Sequence, residues 1–323
     1  MSDETIKSIP SNRLQFFPVM MFAVIMGLSG LTLVYERAHE VLGLSSIFYI
    51  TLKLLTTTIF IFVIITYLAK FFIYPKEVKK EFSHPIRVNF FAAISISFLL
   101  VSVLYKHNIN ISNILFYFGL FLHLFFTFNT LKFWINNNLE MKHSNPAWFI
   151  PIVGNLIIPV VGTTHLDSMY LMFFFSIGIF FWVIMLSIIL NRIIFHNQFA
   201  PKFMPTLFIL IAPPSVGLIA YYKMTHTLDF FALVLFNLGL FFTFLLFFMY
   251  KNFVKIKFFI SWWAFTFPMA TIALASILMY ELTSKDIYEF FAYFFSFVLT
   301  MIVLIVAYNT IVHMFKKEIC IME

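Results

Sequence analysis

Ten long blocks of apolar residues, separated by short polar links, decide what this chain can become. They run over 14–35, 46–73, 86–105, 111–135, 146–164, 168–195, 203–223, 229–250, 258–280 and 286–314. A helix of about 17 to 25 residues crosses the hydrocarbon core of a bilayer, and each block is long enough. A membrane barrel would instead show strands of about ten residues alternating in polarity, a pattern absent here. With 62% hydrophobic and 11% charged residues, the chain lacks the polar side chains to cover a water-facing surface, for which soluble domains use about 25% charged residues. The expected fold is all-α: a single membrane domain of ten transmembrane helices over residues 14–314, with tails at 1–13 and 315–323. The polar first twelve residues carry no small-residue cleavage site before the first block, which argues against a cleaved signal peptide.

Links this short make consecutive helices antiparallel, so an even number of spans puts both termini on one side. Of the 21 Lys and Arg, sixteen fall in the tails and in the links after even spans. Only Arg37, Lys53, Lys106, Lys223 and Lys285 fall on the other side. By the positive-inside rule both termini are expected in the cytoplasm. The same asymmetry accounts for the net charge of +7 without nucleic acid as a partner.

The chain also reads as five hairpins, because after the first interval odd-numbered spans recur at intervals of about 55 to 60 residues. Proline marks the two kinds of helix. Nine of the twelve prolines lie in or at the start of odd spans, among them Pro18, Pro151, Pro159, Pro213, Pro214 and Pro268, and even spans have none. Proline removes a backbone donor and bends a helix. In hydrocarbon the freed carbonyl needs a partner, so bent helices belong against protein or a watery cavity. Odd spans are therefore expected inside and even spans outside, consistent with Phe-rich runs such as Phe116-Tyr117-Phe118 and Phe241-Phe242-Thr243-Phe244. Two architectures fit this pattern: a packed bundle shaped by its prolines, or a ring of five bent helices around a central pore.

No Asp or Glu lies inside any of the ten blocks beyond its first turn, where Asp229, Asp286 and Glu289 stand, and Lys and Arg sit toward block ends, where they can snorkel. Coupled transporters usually keep a buried ionisable residue, and cation pores display rings of acids. What remains is a neutral path with a basic cytoplasmic mouth, including Arg87, which suits anions; the same basic residues also serve as topology signals. His123, the one histidine near mid-span, reads better as a structural histidine than as a proton relay, since its span offers no acidic partner. The nine histidines show no metal-ligand spacing, and the single cysteine, Cys320, can build neither a disulfide nor a zinc cluster. No phosphate loop, nucleophile elbow or carboxylate pair is present, so no enzyme, metal or cofactor is expected. Small and weakly polar residues collect in odd spans: Gly27, Ser29, Ser97, Asn155, Ser215 and Thr271. They fit either a narrow wet path or close helix packing.

The ninth span carries Ser261-Trp262-Trp263-Ala264-Phe265-Thr266-Phe267-Pro268-Met269-Ala270. This resembles the Trp-Trp-Ala-aromatic-x-Phe-Pro signature of the tellurite-resistance/C4-dicarboxylate transporter family, which includes bacterial TehA and the plant guard-cell slow anion channels. Asn145-Pro146-Ala147-Trp148-Phe149-Ile150-Pro151-Ile152-Val153-Gly154-Asn155 and Leu210-Ile211-Ala212-Pro213-Pro214-Ser215-Val216-Gly217 extend the likeness across the chain. The resemblance implies five hairpins in a quasi-five-fold arrangement around a central pore, assembly as a homotrimer, and a phenylalanine gate that maps onto Phe267. Pro268, beside it, disfavours α geometry at the preceding residue and supplies the gate's hinge.

The expectation is a gated, passive channel for small anions such as chloride and nitrate. The alternative is a secondary transporter of C4-dicarboxylates or of oxyanions such as tellurite. The chain lacks the long tails of the plant channels, and placement in a prokaryotic cytoplasmic (inner) membrane is expected.

Overall fold

The computed structural model describes residues 13–321; residues 1–12, with Lys7 and Pro10 of the N-terminal tail, and residues 322–323 lie outside them. In chain order the α-helices are α1 (Phe22–Leu42), α2 (Ser46–Ile73), α3 (Pro75–Phe82), α4 (Ala92–Leu104), α5 (Ile109–Asn136), α6 (Phe149–Ile152), α7 (Ile157–Gly162), α8 (Ser168–Phe195), α9 (Ala212–Thr225), α10 (Phe230–Phe248), α11 (Lys251–Val254), α12 (Thr266–Thr283) and α13 (Asp286–Phe315). Among the described residues there is no strand.

Among the described residues, nine helical stretches are long and apolar enough to cross a membrane. The fifth expected span differs. Pro146–Gly162 is shorter and broken into two 3-10 turns alternating with α6 and α7. Pro151 and Pro159 fall inside it, and each denies the helix an amide donor. The 3-10 portions rise about 2.0 Å per residue rather than about 1.5 Å, so the segment reaches further than its residue count suggests.

Inner and outer helices separate as the prolines predict. The windows of Val19–Leu42, Arg87–Leu104, Pro201–Thr225 and Ile260–Thr283 are 78–83% buried, whereas those of α2, α5, α8, α10 and α13 are 17–39% buried. Each outer helix packs on the inner segment that precedes it. The inner segments also contact one another in a closed cycle: α1 with α4, α4 with α7, α7 with α9, α9 with α12, and α12 with α1. The outward faces present large apolar side chains such as Phe62, Phe121, Phe230 and Phe315, which suit hydrocarbon and not water.

The inner segments also share an irregularity of helix type near their prolines. Every inner segment starts as 3-10 helix and becomes α further on, at Met21/Phe22, Phe91/Ala92, Leu156/Ile157, Ile211/Ala212 and Phe265/Thr266. Pro18 caps the 3-10 turn before α1, while Pro213, Pro214 and Pro268 lie in the first turns of α9 and α12. A first-turn amide has no intrahelical acceptor, so proline there is harmless and presets the helical φ. Phe267, in the first turn of α12, is helical despite Pro268.

The turns between inner and outer helices repeat as well. Gly43 (φ 72°), His226 (φ 53°) and Ser284 (φ 53°) close α1, α9 and α12 in the left-handed conformation that ends helices. Ser45, Asn108, Asp167 and Asp229 then cap α2, α5, α8 and α10 by accepting from first-turn amides. Such caps contribute about 1 kcal/mol each.

Two sequence expectations about charge are corrected. The first helix runs on to Leu42, so Glu36 and Glu40 lie within a span, with Glu36 buried. Lys70 does not snorkel; it turns inward and bonds Glu81 of α3 at 2.6 Å and the Phe17 carbonyl at 2.8 Å. Glu81 also accepts from the Tyr67 hydroxyl and, at 3.3 Å, from the Val19 amide. An isolated buried carboxylate or ammonium would be very costly. The pair is tolerated because nearly every polar direction is filled, and it fastens the link helix to the start of the first inner segment.

Candidate functional site

All five inner segments border one cavity of about 70 Å³. Met26 comes from α1, Phe90 from the 3-10 stretch before α4, Gly154 from the broken fifth segment, Pro213 from α9, and Phe267 with Pro268 from α12. The volume would admit water, but cavities with apolar walls stay dry.

The ninth-span motif builds one wall, and most of its residues are tied down. The Ser261 hydroxyl donates to the Lys202 carbonyl at 2.5 Å, and the Trp263 indole donates to Thr310 of α13 at 3.0 Å. The Thr266 hydroxyl donates to the Trp263 carbonyl at 2.7 Å. Phe265 packs edge-on against Phe208 and Phe253, with centroids 4.7 and 5.8 Å apart. Phe267 is the exception. Half-buried, it pairs with no other ring among the described residues, and van der Waals contact alone holds it.

Close approach of α1 makes that contact possible. A Cβ on Gly30 would stand 2.7 Å from the Ala270 Cβ and 3.4 Å from Cδ2 of Phe267. A Cβ on Gly27 would overlap the Thr266 hydroxyl and come within 2.9 Å of the Thr266 Cβ. Thr266 is pinned by its own hydrogen bond, so it cannot yield cheaply. Gly27 and Gly30, one turn apart on α1, seat that helix against the base of the Phe267 side chain.

None of Gly27, Ser29, Ser97, Asn155, Ser215 and Thr271 is among the residues bordering this cavity; all six are buried. Ser97 donates to the Ala93 carbonyl at 2.7 Å, and Thr271 to the Pro268 carbonyl at 2.7 Å. The Asn155 amide donates to the Ile152 carbonyl at 2.8 Å and to Thr127 at 3.1 Å. Three oxygens, Ser29 Oγ, Ser215 Oγ and Asn155 Oδ1, have no hydrogen-bond partner. Arg87 is half-buried, at the start of its 3-10 stretch on the same end of the molecule as Arg13 and Lys317.

Gly154 borders the cavity, and His123 packs behind it. His123 reaches inward from α5, with Nδ1 2.9 Å from Ser95 Oγ. The Ser95 hydroxyl also reaches the Ala92 carbonyl at 2.7 Å, and His123 Nε2 has no hydrogen-bond partner among the described residues. Gly154 leaves room for the ring, since a Cβ there would stand 3.0 Å from His123 Cε1. Thr127, one turn further along α5, donates to the Pro151 carbonyl at 2.7 Å. The outer helix thus satisfies a carbonyl of the broken inner segment, as hydrocarbon surroundings demand. Among the described residues no cluster of His, Cys, Asp and Glu could hold a metal ion.

Comparison with known proteins finds relatives named as anion channels and transporters. The chain is 27% identical over 311 residues to the S-type anion channel SLAH2 of Arabidopsis thaliana, covering 94% of this chain and 60% of that protein's length. It is 27% identical over 299 residues to a tellurite resistance protein TehA homolog of Haemophilus influenzae, covering 90% of each. An uncharacterized transporter of Methanocaldococcus jannaschii is 24% identical over 318 residues, covering 88% of this chain and 93% of the transporter. The model of the SLAC1 family, described as voltage-dependent anion channels, matches residues 16–311, and this integral membrane protein therefore belongs to that family.

Proposed function

We propose that the protein is a gated, passive channel for small anions such as chloride and nitrate, in which five inner segments surround a conduit closed by the Phe267 ring. One observation carries the reading: each inner segment contributes to a single apolar cavity, and the ring standing in it is the untied member of an otherwise anchored motif. An ion crossing a dry apolar neck loses its hydration with nothing in return, so such a neck is closed to charge. Pro268 serves as the hinge, because proline disfavours α geometry at the residue before it, and the first turn of α12 nonetheless holds Phe267 in that geometry.

The unpartnered oxygens of Ser29, Ser215 and Asn155 support a second, wetter arrangement of the inner segments. Buried hydroxyls and amides without partners cost about 1 to 3 kcal/mol each, and water in an open conduit would relieve that cost. In this reading Gly27, Ser97 and Thr271 flank the same path. Arg87 and the link lysines draw anions to the mouth nearest the termini, and the Lys/Arg asymmetry supports a cytoplasmic position for that mouth. The proposed setting is a prokaryotic inner membrane, with one conduit per subunit of a homotrimer.

Phe267→Ala is expected to raise anion current about tenfold or more over wild type in oocytes or planar bilayers, with surface expression measured in parallel. Silence from both proteins at good surface expression would defeat the reading. A secondary transporter of dicarboxylates or oxyanions is the competing function, favoured by the names of two relatives. It would show instead as saturable, proton-dependent flux without macroscopic current.

A further inference from the structure

At the end of the molecule away from the termini, the inner segments finish in charge. α1 supplies Glu36, Arg37 and Glu40, the turn after α4 supplies Lys106, and α12 supplies Glu281. Lys106 Nζ lies 3.1 Å from Glu36 and 3.0 Å from Glu40. Arg37 bridges Glu40 and Glu281. From α9, Lys223 Nζ donates to the Val160 carbonyl of α7 at 2.8 Å, in the field of Arg37, Lys106, Glu36 and Glu40. All five inner segments therefore meet here in one polar ring. Burial would lower the pKa of Lys106, but hydrogen bonds and charge from Glu40 and Glu36 outweigh it and raise the value; that cation stays charged.

The three cations of the ring are not equivalent. Arg37 and Lys106 between them engage Glu36, Glu40 and Glu281. Lys223 has a neutral carbonyl as its hydrogen-bond acceptor. An ammonium has three N–H donors, so two remain after Val160, and the side chain keeps accessible surface although it is crowded by the ends of the inner segments. The nearby carboxylates that would repel an anion are already paired.

We propose that Lys223 is an anion-receiving site at this distal mouth, taking a small inorganic anion such as chloride before it reaches the constriction. The inference rests on the channel reading above and adds a second site to it. Attraction by one exposed cation is an effect of range: the screening length is about 30 Å at about 10 mM salt and about 3 Å at about 1 M.

The test uses planar bilayers and the Phe267→Ala channel, with Lys223→Gln and Lys223→Arg added to it. At about 10 mM chloride, current carried by anions arriving from the distal side is expected to fall about three- to tenfold with Lys223→Gln and to persist with Lys223→Arg. At about 1 M chloride the three channels should agree within about twofold. A conducting Phe267→Ala channel whose low-salt current is indifferent to Lys223→Gln would overturn this inference alone, as would an equal loss at both salt concentrations. A silent Phe267→Ala channel would overturn both the inference and the reading beneath it.

Discussion

α12 and α13 belong to one hairpin and lie side by side, yet they follow different rules. The inner stretch Ile260–Thr283 opens as 3-10 helix, holds Pro268 in the first turn of α12, and is 78% buried across its apolar window. α13 is an uninterrupted helix of 30 residues, 33% buried, that exposes Phe290, Phe297 and Phe315 outward. The same division holds for the other pairs. Lipid demands of a helix only that its side chains be apolar and its backbone closed, so an outer helix is long and regular. An inner segment must meet two inner neighbours and its own outer helix. It can therefore depart from regularity wherever a neighbouring side chain satisfies its carbonyls, as Thr127 does for Pro151 and Lys223 for Val160.

Substitutions can break or sharpen this contrast. The largest effect is expected at the inner contact: Gly27→Leu drives a side chain into the pinned Thr266 and should abolish monodisperse protein in detergent, read by size-exclusion chromatography. Normal elution would mean that α1 and α12 are not closely seated. Next comes the buried pair. Lys70→Met leaves Glu81 uncompensated among atoms almost closed to solvent and is expected to cost about 3 to 5 kcal/mol, seen as a lowered thermal midpoint. Replacing both partners by Met should recover most of that loss; if it does not, the charge pair is not the cause. The smallest effect is expected outside: Phe121→Leu on the exposed face of α5 should change stability by less than about 0.5 kcal/mol. A larger change would mark that face as a contact between subunits.

Much of this was legible in the sequence, for a physical reason. Hydropathy reports whether a segment sits in hydrocarbon, and proline reports whether its backbone needs neighbours, so spans and their inner or outer placement both follow from local composition. What escaped depends on partners distant in the chain. Glu36 looks like the end of a helix until Lys106 is seen to neutralise it. Lys70 looks like a snorkelling residue until Glu81 closes on it from the next link. Hydropathy also gave the fifth span a normal length, because it weighs Pro151 and Pro159 only for polarity and not for the hydrogen bonds they remove. Weakly polar residues such as Ser97 and Thr271 are ambiguous for a related reason: a hydroxyl bonded back to its own helix looks the same in sequence as one facing water. Phe267 could be singled out among 48 phenylalanines only through the motif around it.

The most direct test of the central claim is current against ring size at one position: wild type, Phe267→Leu and Phe267→Ala in the same bilayer, with chloride and nitrate exchanged across it. The account requires conductance to rise as the side chain shrinks, with reversal potentials that follow the anion gradient. Equal, leak-level currents from all three proteins, present in the membrane in equal amount, would contradict it.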